Sequence, residues 1–247
     1  MTEHHSARTL FFVIGGIVTV LLAMAAVVPF LTELLKIEVV HTMSPMITTS
    51  PLPNTIEEQL ITVLYEQEEV SGEISAIYIE VFQPSKETLY YMEIPVQTKV
   101  MLSNDLYKSL QTYSPELPQY LKLSKMAEGF SKDYALAGCN RILSELLGVS
   151  LEHYVSGEKE FVQHWMETLE INNTKKEFFE QYARWLEVSV SDLSNKERWM
   201  YYESYQKITK VEKKMAAGNQ EVENFIISSK QCKELIEHWK YLLRIEE

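Results

Sequence analysis

At 247 residues, 46% hydrophobic and 23% charged, the chain has the composition of a folded protein with room for a sizeable core and one domain plus extensions. A formal net charge of −12 argues against nucleic acid as a partner and against electrostatic docking on anionic lipid. The acidic excess persists beyond residue 35.

Residues 1–9 form a short tail in which Arg8 is the one strongly basic side chain. Leu10 to Leu31 then give 22 uncharged residues, LFFVIGGIVTVLLAMAAVVPFL. At about 1.5 Å per residue this crosses a hydrocarbon core of roughly 30 Å. The competing reading is a cleaved signal peptide, since Ala23-Met24-Ala25 resembles a cleavage site. The run outlasts an ordinary signal core and its flank is poorly basic, so a retained anchor is favoured. A short tail before a single span gives the tail inside the cell and the rest outside, although Arg8 against Lys36 leaves only a thin positive-inside bias. The expected location is therefore the cell membrane, single-pass, with the C-terminal domain extracytoplasmic.

Residues 32–53 read as a spacer, with Pro45, Pro51 and Pro53 among several Ser and Thr. Asn54 and Glu57 make a capping-box-like start to a helix expected to run to about Glu69, where Ser71-Gly72 ends it. EISAIYIEVFQP carries apolar residues on both parities, as a strand covered on both faces does. Pro84-Ser85-Lys86-Glu87 turns the chain, and TLYYMEI returns as a hairpin partner. Pro95 removes a ladder donor, so the strand breaks there before VQTKVML.

Residues 105–119 mix a short helix with a Pro-containing loop. Residues 131–147 form an amphipathic helix stopped by Gly148, followed by a strand over VSLEHYVS and a helix from about Glu158 to Leu169. Beyond Asn172-Asn173 the pattern predicts only helices, at 174–187, 195–217 and 219–243, the second capped by Ser194 and Glu197. Tyr201, Tyr205, Ile208 and Met215 stripe the second of these. Val222, Phe225, Ser229, Cys232, Ile236, Trp239 and Leu243 stripe the third, and the two are expected to pair as an antiparallel hairpin. Such a stripe belongs to the core by default, and becomes a partner surface for envelope proteins if it does not dock on the sheet. Cys139 and Cys232 read as two buried thiols, with a disulfide as the alternative in an oxidising exterior.

The expected architecture is α/β (α+β): one N-terminal transmembrane helix, a mixed β-sheet sandwiched by helices over residues 54–171, and an all-helical region over 172–247.

The strand–turn–strand of residues 74–98 resembles the LytR-CpsA-Psr (LCP) family of membrane-anchored bacterial cell-envelope proteins. Its enzymes move glycopolymers from a polyprenyl-pyrophosphate carrier to peptidoglycan. The family pattern runs Asp-Thr-Ile, a strand, a Pro turn, a strand, then Ser-Ile-Pro-Arg-Asp-Thr. Here the turn Pro84 and the later Pro95 keep its spacing of eleven residues. Lys122-Leu123-Ser124 to Gly129 resembles its Lys-Ile-Asn…Gly segment, and Leu146-Leu147-Gly148-Val149 with His153-Tyr154-Val155 and Phe161-Val162 resembles a later stretch. The resemblance covers roughly residues 56–170, a length suited to one domain core.

What it implies about chemistry is altered by three departures. The family's metal-holding Asp aligns with Ser75, and its Arg and Asp after Ile-Pro align with Val96 and Gln97. Its Gly-Gly-Val turn is absent around Glu170-Ile171, and Tyr182-Ala183-Arg184 is at best a remnant of a later Arg segment. Pyrophosphate transfer needs cations on the phosphate oxygens and, as a rule, carboxylate-bound Mg²⁺. A catalytic set is therefore not expected, and neither a metal site nor a cofactor is.

Glu73, Lys99, Lys122, Lys125 and Arg141 are the candidate ligand-binding residues, each weighed against an ordinary solvated surface charge. Glu160 and His164 stand at i,i+4 without a third ligand. There is no Gly-rich phosphate loop, no Gly-x-Ser-x-Gly and no Cys-x-x-Cys.

The reading that follows is a non-catalytic LCP-like protein binding an envelope polymer, a lipid-linked precursor such as a polyprenyl-linked glycan, peptidoglycan or an envelope protein. The alternatives are an active phosphotransferase with a rearranged, Mg²⁺-dependent site using Glu73, and an anchored structural or assembly protein unrelated to the family.

Overall fold

A computed structural model of the chain describes residues 59–68, 72–171, 173–221 and 223–245. The expected tail, anchor and linker lie outside the described residues, as does the start of the helix expected at Asn54. Among the described residues no helix is long and apolar enough to cross a membrane.

The centre of the fold is a six-stranded mixed sheet. Its strands in chain order are β1 (Leu60–Gln67), β2 (Ile74–Phe82), β3 (Thr88–Ile94), β6 (His153–Glu158), β7 (Val190–Ser191) and β8 (Lys210–Met215), and the spatial order is β7-β6-β1-β2-β3-β8. β1, β2 and β3 form an antiparallel meander, while β6 joins β1 and β8 joins β3 in parallel. Between β3 and β6 lie the small pair β4 (Lys99–Met101) and β5 (Tyr120–Lys122), with the helices α1 (Asn104–Gln111) and α2 (Ala135–Leu147). After β6 come α3 (Lys159–Glu170), α4 (Lys175–Val188), α5 (Asn195–Met200) and α6 (Tyr202–Tyr205). β9 (Gly218–Gln220), β10 (Phe225–Ile227) and α7 (Ser229–Ile245) complete the chain.

The first correction concerns β1, where a helix was expected. Leu60, Thr62, Leu64 and Glu66 are buried on one face and Ile61, Val63 and Tyr65 on the other. A strand flanked by neighbours on both edges and roofed on both faces has no polar side, so its apolar run carries no period-2 signature. β-Branched Ile61, Thr62 and Val63 suit the pleat better than a helix.

Two separate apolar layers result, one on each face. Ile61, Val63, Tyr65, Ile77, Ile79, Tyr90 and Met92 pack under α1, α2 and α7. Leu60, Leu64, Phe82, Leu89 and Tyr91 pack under α3 and α4, with Tyr201 and Tyr205. α2 is the helix expected over 131–147, begun four residues later and closed by Gly148 at φ 63°.

The second correction is to the all-helical C-terminal region. α4 matches its expected span, and the Ser194–Glu197 capping box is present, but the helix it opens stops at Met200. Residues 210–215, expected to be helical, extend the central sheet instead, so this region shares the sheet with residues 60–158. Gly218–Gln220 and Phe225–Ile227 form the β9–β10 pair, where the Gly218 backbone lies so close to Ile226 that an added Cβ would sit 2.3 Å from its carbonyl oxygen.

The expected antiparallel helix hairpin is therefore absent. Tyr201 and Tyr205 pack on one face of the sheet, and Cys232, Ile236, Trp239 and Leu243 on the other. Both thiols are free and buried. The α7 stripe is core, with Trp239 stacked on Tyr90 at 5.1 Å between ring centroids, so it offers no surface to an envelope protein.

Candidate functional site

The end of the sheet where β1 stops and β2 starts holds a cleft of about 250 Å³, lined by Glu68, Glu73, Ile74, Ser75, Val96, Gln97, Lys122 and Ser124. Three local features build it. The β1–β2 register shifts at Glu66/Gln67, a bulge that twists the strand end. Gly72, at φ 68°, lets the connection return. Pro95 then ends β3, and its carbonyl accepts both the amide and the hydroxyl of Thr98, at 3.0 and 2.6 Å, closing a tight turn over Val96 and Gln97. That turn is fastened to the next segment, because Ser124 N–H donates to the Val96 carbonyl and Leu123 N–H to the Thr98 carbonyl.

The structure thus brings Ser75, from the start of β2, to one cleft with the adjacent Val96 and Gln97, from the turn after β3. Ser75 Oγ lies 2.7 Å from Glu66 Oε1 and donates to it. Glu66 is buried and also accepts a long bond from Gln163 Nε2. Sequence reasoning passed over Glu66 because its strand was read as a helix. As the penultimate residue of a strand paired with β2, it would have stood out.

The five candidate ligand residues divide. Glu73 and Lys122 line the cleft. Lys125 stands beside it, its Nζ 3.0 Å from Glu73 and 2.6 Å from Glu128. The Lys125 hydrogen bond holds the Glu73 carboxyl below its ordinary range, and Glu128, with Glu73, holds the Lys125 ammonium above its own. These are exposed groups, so the pair is worth little to stability.

Lys99 is the register partner of Lys122 on the β4–β5 pair, but its Nζ sits over the Tyr120 ring, 5.8 Å from the centroid, and it does not line the cleft. Arg141 is elsewhere, donating from α2 to Ser109 of α1 at 2.9 Å. No guanidinium is among the lining residues.

The donor set does not suit a divalent metal. Ser75 has no charge to give, Glu66 is engaged with its hydroxyl, and Glu73 already has an ammonium partner. Among the described residues, no three His, Cys, Asp or Glu side chains are grouped to hold a metal. Glu160 and His164 are both exposed, and His164 bonds Gln181.

No protein-family model matches the sequence, and none of the curated proteins matches it. Solved structures do match in fold. TagT bound to LI-WTA superposes with a TM-score of 0.53 at 10% identity, over 83% of this chain and 98% of that one. Lin1025 protein from Listeria innocua gives 0.52 at 12% identity, over 76% and 100%. The LytR-CPS2A-psr family protein YwtF (TagT) with bound octaprenyl pyrophosphate lipid gives 0.51 at 11% identity, over 83% and 98%. The chain has the LytR-CpsA-Psr-like fold that the sequence resemblance implied.

Proposed function

We propose that this chain is a membrane-anchored, extracytoplasmic LCP-like protein that binds at its cleft and does not transfer phosphoryl groups. Residues 10–31 serve as its single span, and its ligand is an envelope polymer, a lipid-linked precursor or an envelope protein. The observation that carries this reading is the meeting of Ser75, Val96 and Gln97 at one cleft, without a guanidinium among the lining residues.

The physical argument is one of charge. In phosphoryl transfer the protein acts mainly by positioning and by stabilising negative charge. This cleft offers one lining ammonium, Lys122, against the carboxylates Glu68 and Glu73. Val96 has no donor where a bidentate Arg would clamp an anion. A structure of similar fold carries octaprenyl pyrophosphate, which supports the precursor as one ligand class. No metal or cofactor takes part in this reading.

The test is to present octaprenyl pyrophosphate, with and without Mg²⁺, to the purified full chain and to follow both binding and turnover. Binding without turnover is the expected result. Glycopolymer transfer or pyrophosphatase activity that disappears in Glu73→Gln would replace this reading with the rearranged phosphotransferase. Absence of lipid binding at any Mg²⁺ concentration would restrict the ligand to a polymer or a protein.

A further inference from the structure

The β4–β5 pair stands at the rim of the cleft. β4 begins directly after the Pro95–Thr98 turn, and β5 ends at Lys122, where the next amide, Leu123, donates to the Thr98 carbonyl at 3.0 Å. Register sets Lys99 opposite Lys122, Val100 opposite Leu121 and Met101 opposite Tyr120. Alternation along each strand therefore gives the pair two unlike faces. Val100 and Leu121, each 6% exposed, join the core. Lys99, Met101, Tyr120 and Lys122 share the outer face, where Met101 is 75% and Tyr120 59% exposed.

Two features of this outer face are unfavourable as long as nothing covers it. Lysines directly opposite on antiparallel strands bring like charges together with roughly 5 Å between their Cβ atoms, which destabilises the pairing. The chain carries a net charge of −12, yet among the described residues neither Lys99 nor Lys122 is paired with a carboxylate. Lys99 Nζ lies over the Tyr120 ring instead. The second feature is the Met101–Tyr120 pair, an exposed apolar platform two residues along the ribbon, about 7 Å from the lysine pair.

We infer that the outer face of the β4–β5 ribbon binds an acidic sugar, its ring stacked on Tyr120 and its carboxylate held between Lys99 and Lys122. This rests on the proposed reading of a cleft that binds an envelope polymer. It names that polymer's chemistry, a glycan carrying carboxylates on its rings.

The charges divide the ligand between two places. The cleft sets Glu68 and Glu73 against Lys122, so it disfavours an anion, while Gln97 and Ser124 offer amide and hydroxyl groups suited to an uncharged sugar. An anion on the ribbon meets two ammoniums and relieves their repulsion. The C–H face of a sugar ring packs on the flat face of a tyrosine, and Met101 extends that surface with a flexible thioether. A polyol phosphate has the charge but no ring to place on Tyr120. Lys122 belongs to both ribbon and cleft, so a single glycan chain crosses from one to the other beside it.

The test is calorimetric titration of the full chain in zwitterionic nanodiscs, at low salt, with a galacturonic acid hexamer and with an uncharged glucose hexamer. The acidic hexamer should bind roughly tenfold more tightly, and added salt should narrow the gap. Lys99→Gln should weaken the acidic hexamer by roughly fivefold and leave the uncharged one unchanged. Tyr120→Ala should weaken both by roughly tenfold. Lys99→Glu sets opposite charges across the pair, so it should raise the thermal midpoint while removing the preference for the acidic hexamer. Equal binding of the two hexamers, or a preference that survives Lys99→Glu, overturns the inference. So does a poly(glycerol phosphate) that binds as tightly as the galacturonate and ignores Tyr120→Ala. None of these results touches the wider reading of a non-catalytic cleft, which falls only if the same samples turn over octaprenyl pyrophosphate.

Discussion

The Ser75 hydroxyl donates to the buried Glu66 carboxylate at 2.7 Å, joining the start of β2 to the end of β1 at the head of the cleft. Where the LCP pattern carries an Asp, this chain has a hydrogen-bond donor already used by its neighbour. The two residues are matched, and introducing the family's Asp at 75 alone would set two carboxylates against each other. Ser75→Asp is therefore expected to destabilise the fold by about 1–3 kcal/mol at neutral pH, since Glu66 loses a partner and gains a like charge. Denaturant unfolding should show the deficit shrinking in mild acid or with added Mg²⁺. An unchanged midpoint would mean that the Ser75–Glu66 bond does not matter.

Val96→Arg should restore one missing cation. A charge-assisted bond to phosphate is worth about 1.5–3 kcal/mol, so the dissociation constant for octaprenyl pyrophosphate should fall by about tenfold or more. Calorimetric titration of wild type and variant decides it. Equal affinities would place the lipid phosphates away from the Pro95–Thr98 turn.

Trp239 anchors α7 to the sheet, fully buried and stacked on Tyr90. Trp239→Ala should cost about 3–5 kcal/mol, as large-to-small changes in a packed core do. A loss under 1 kcal/mol, read from the shift in the urea midpoint, would show α7 only loosely docked.

Gly138 sits inside α2, where Ala would ordinarily help a helix by about 1 kcal/mol. Here an added Cβ would lie 2.5 Å from the Phe130 ring. Gly138→Ala should therefore destabilise, by about 1–3 kcal/mol unless Phe130 swings aside. Gly138→Ala in a Phe130→Ala background should recover the helix benefit, and a destabilisation that survives there would exclude Phe130 as its cause.

The Thr174–Glu177 capping box starts α4 with reciprocal bonds. The Thr174 amide and hydroxyl hold the Glu177 carboxyl below its ordinary range. A depressed folded-state pKa contributes stability that is complete above the unfolded value and is lost as pH falls through the folded one. Glu80, raised, acts with the opposite sign: its contribution is complete below the unfolded value and fades as pH rises through the folded one. Thr174→Ala should cost about 1 kcal/mol at neutral pH and less in acid. Thermal midpoints of wild type and variant at pH 7 and pH 3.5 should converge, and a constant gap would rule out the Glu177 half of the box.

Where local signals were complete, the sequence was a good guide. Gly148 closes α2, Pro95 ends β3, and Ser194 with Glu197 opens α5, each through a bond within a few residues. It misled at β1 and β8 for opposite reasons. β1 is buried on both faces and so loses its alternation, whereas β8, Lys-Val-Glu-Lys-Lys-Met, is an edge strand rich in charges that alternate like a helix surface. Edge lysines are how sheets discourage further pairing, and nothing in such a strand announces its partner. For the site, the sequence singled out Ser75, Val96, Gln97, Glu73 and Lys122, all of which line the cleft. It missed Glu66 and the Lys125–Glu73–Glu128 bridge, and it placed Arg141 where Ser109 holds it away.

By itself, then, the sequence determined the hairpin from residue 74 to the Ile94-Pro95 break, its turn, and the loss of charge at three positions of the LCP pattern. These depend on backbone chemistry and residue type, which are local. Only the tertiary structure decided that residues 60–67 are the middle of the sheet, that residues 210–215 extend it, and that Ser75, Val96 and Gln97 meet at one cleft. Strand pairing is satisfied by hydrogen bonds from distant segments, so its evidence is written in the partner strand as much as in the strand itself.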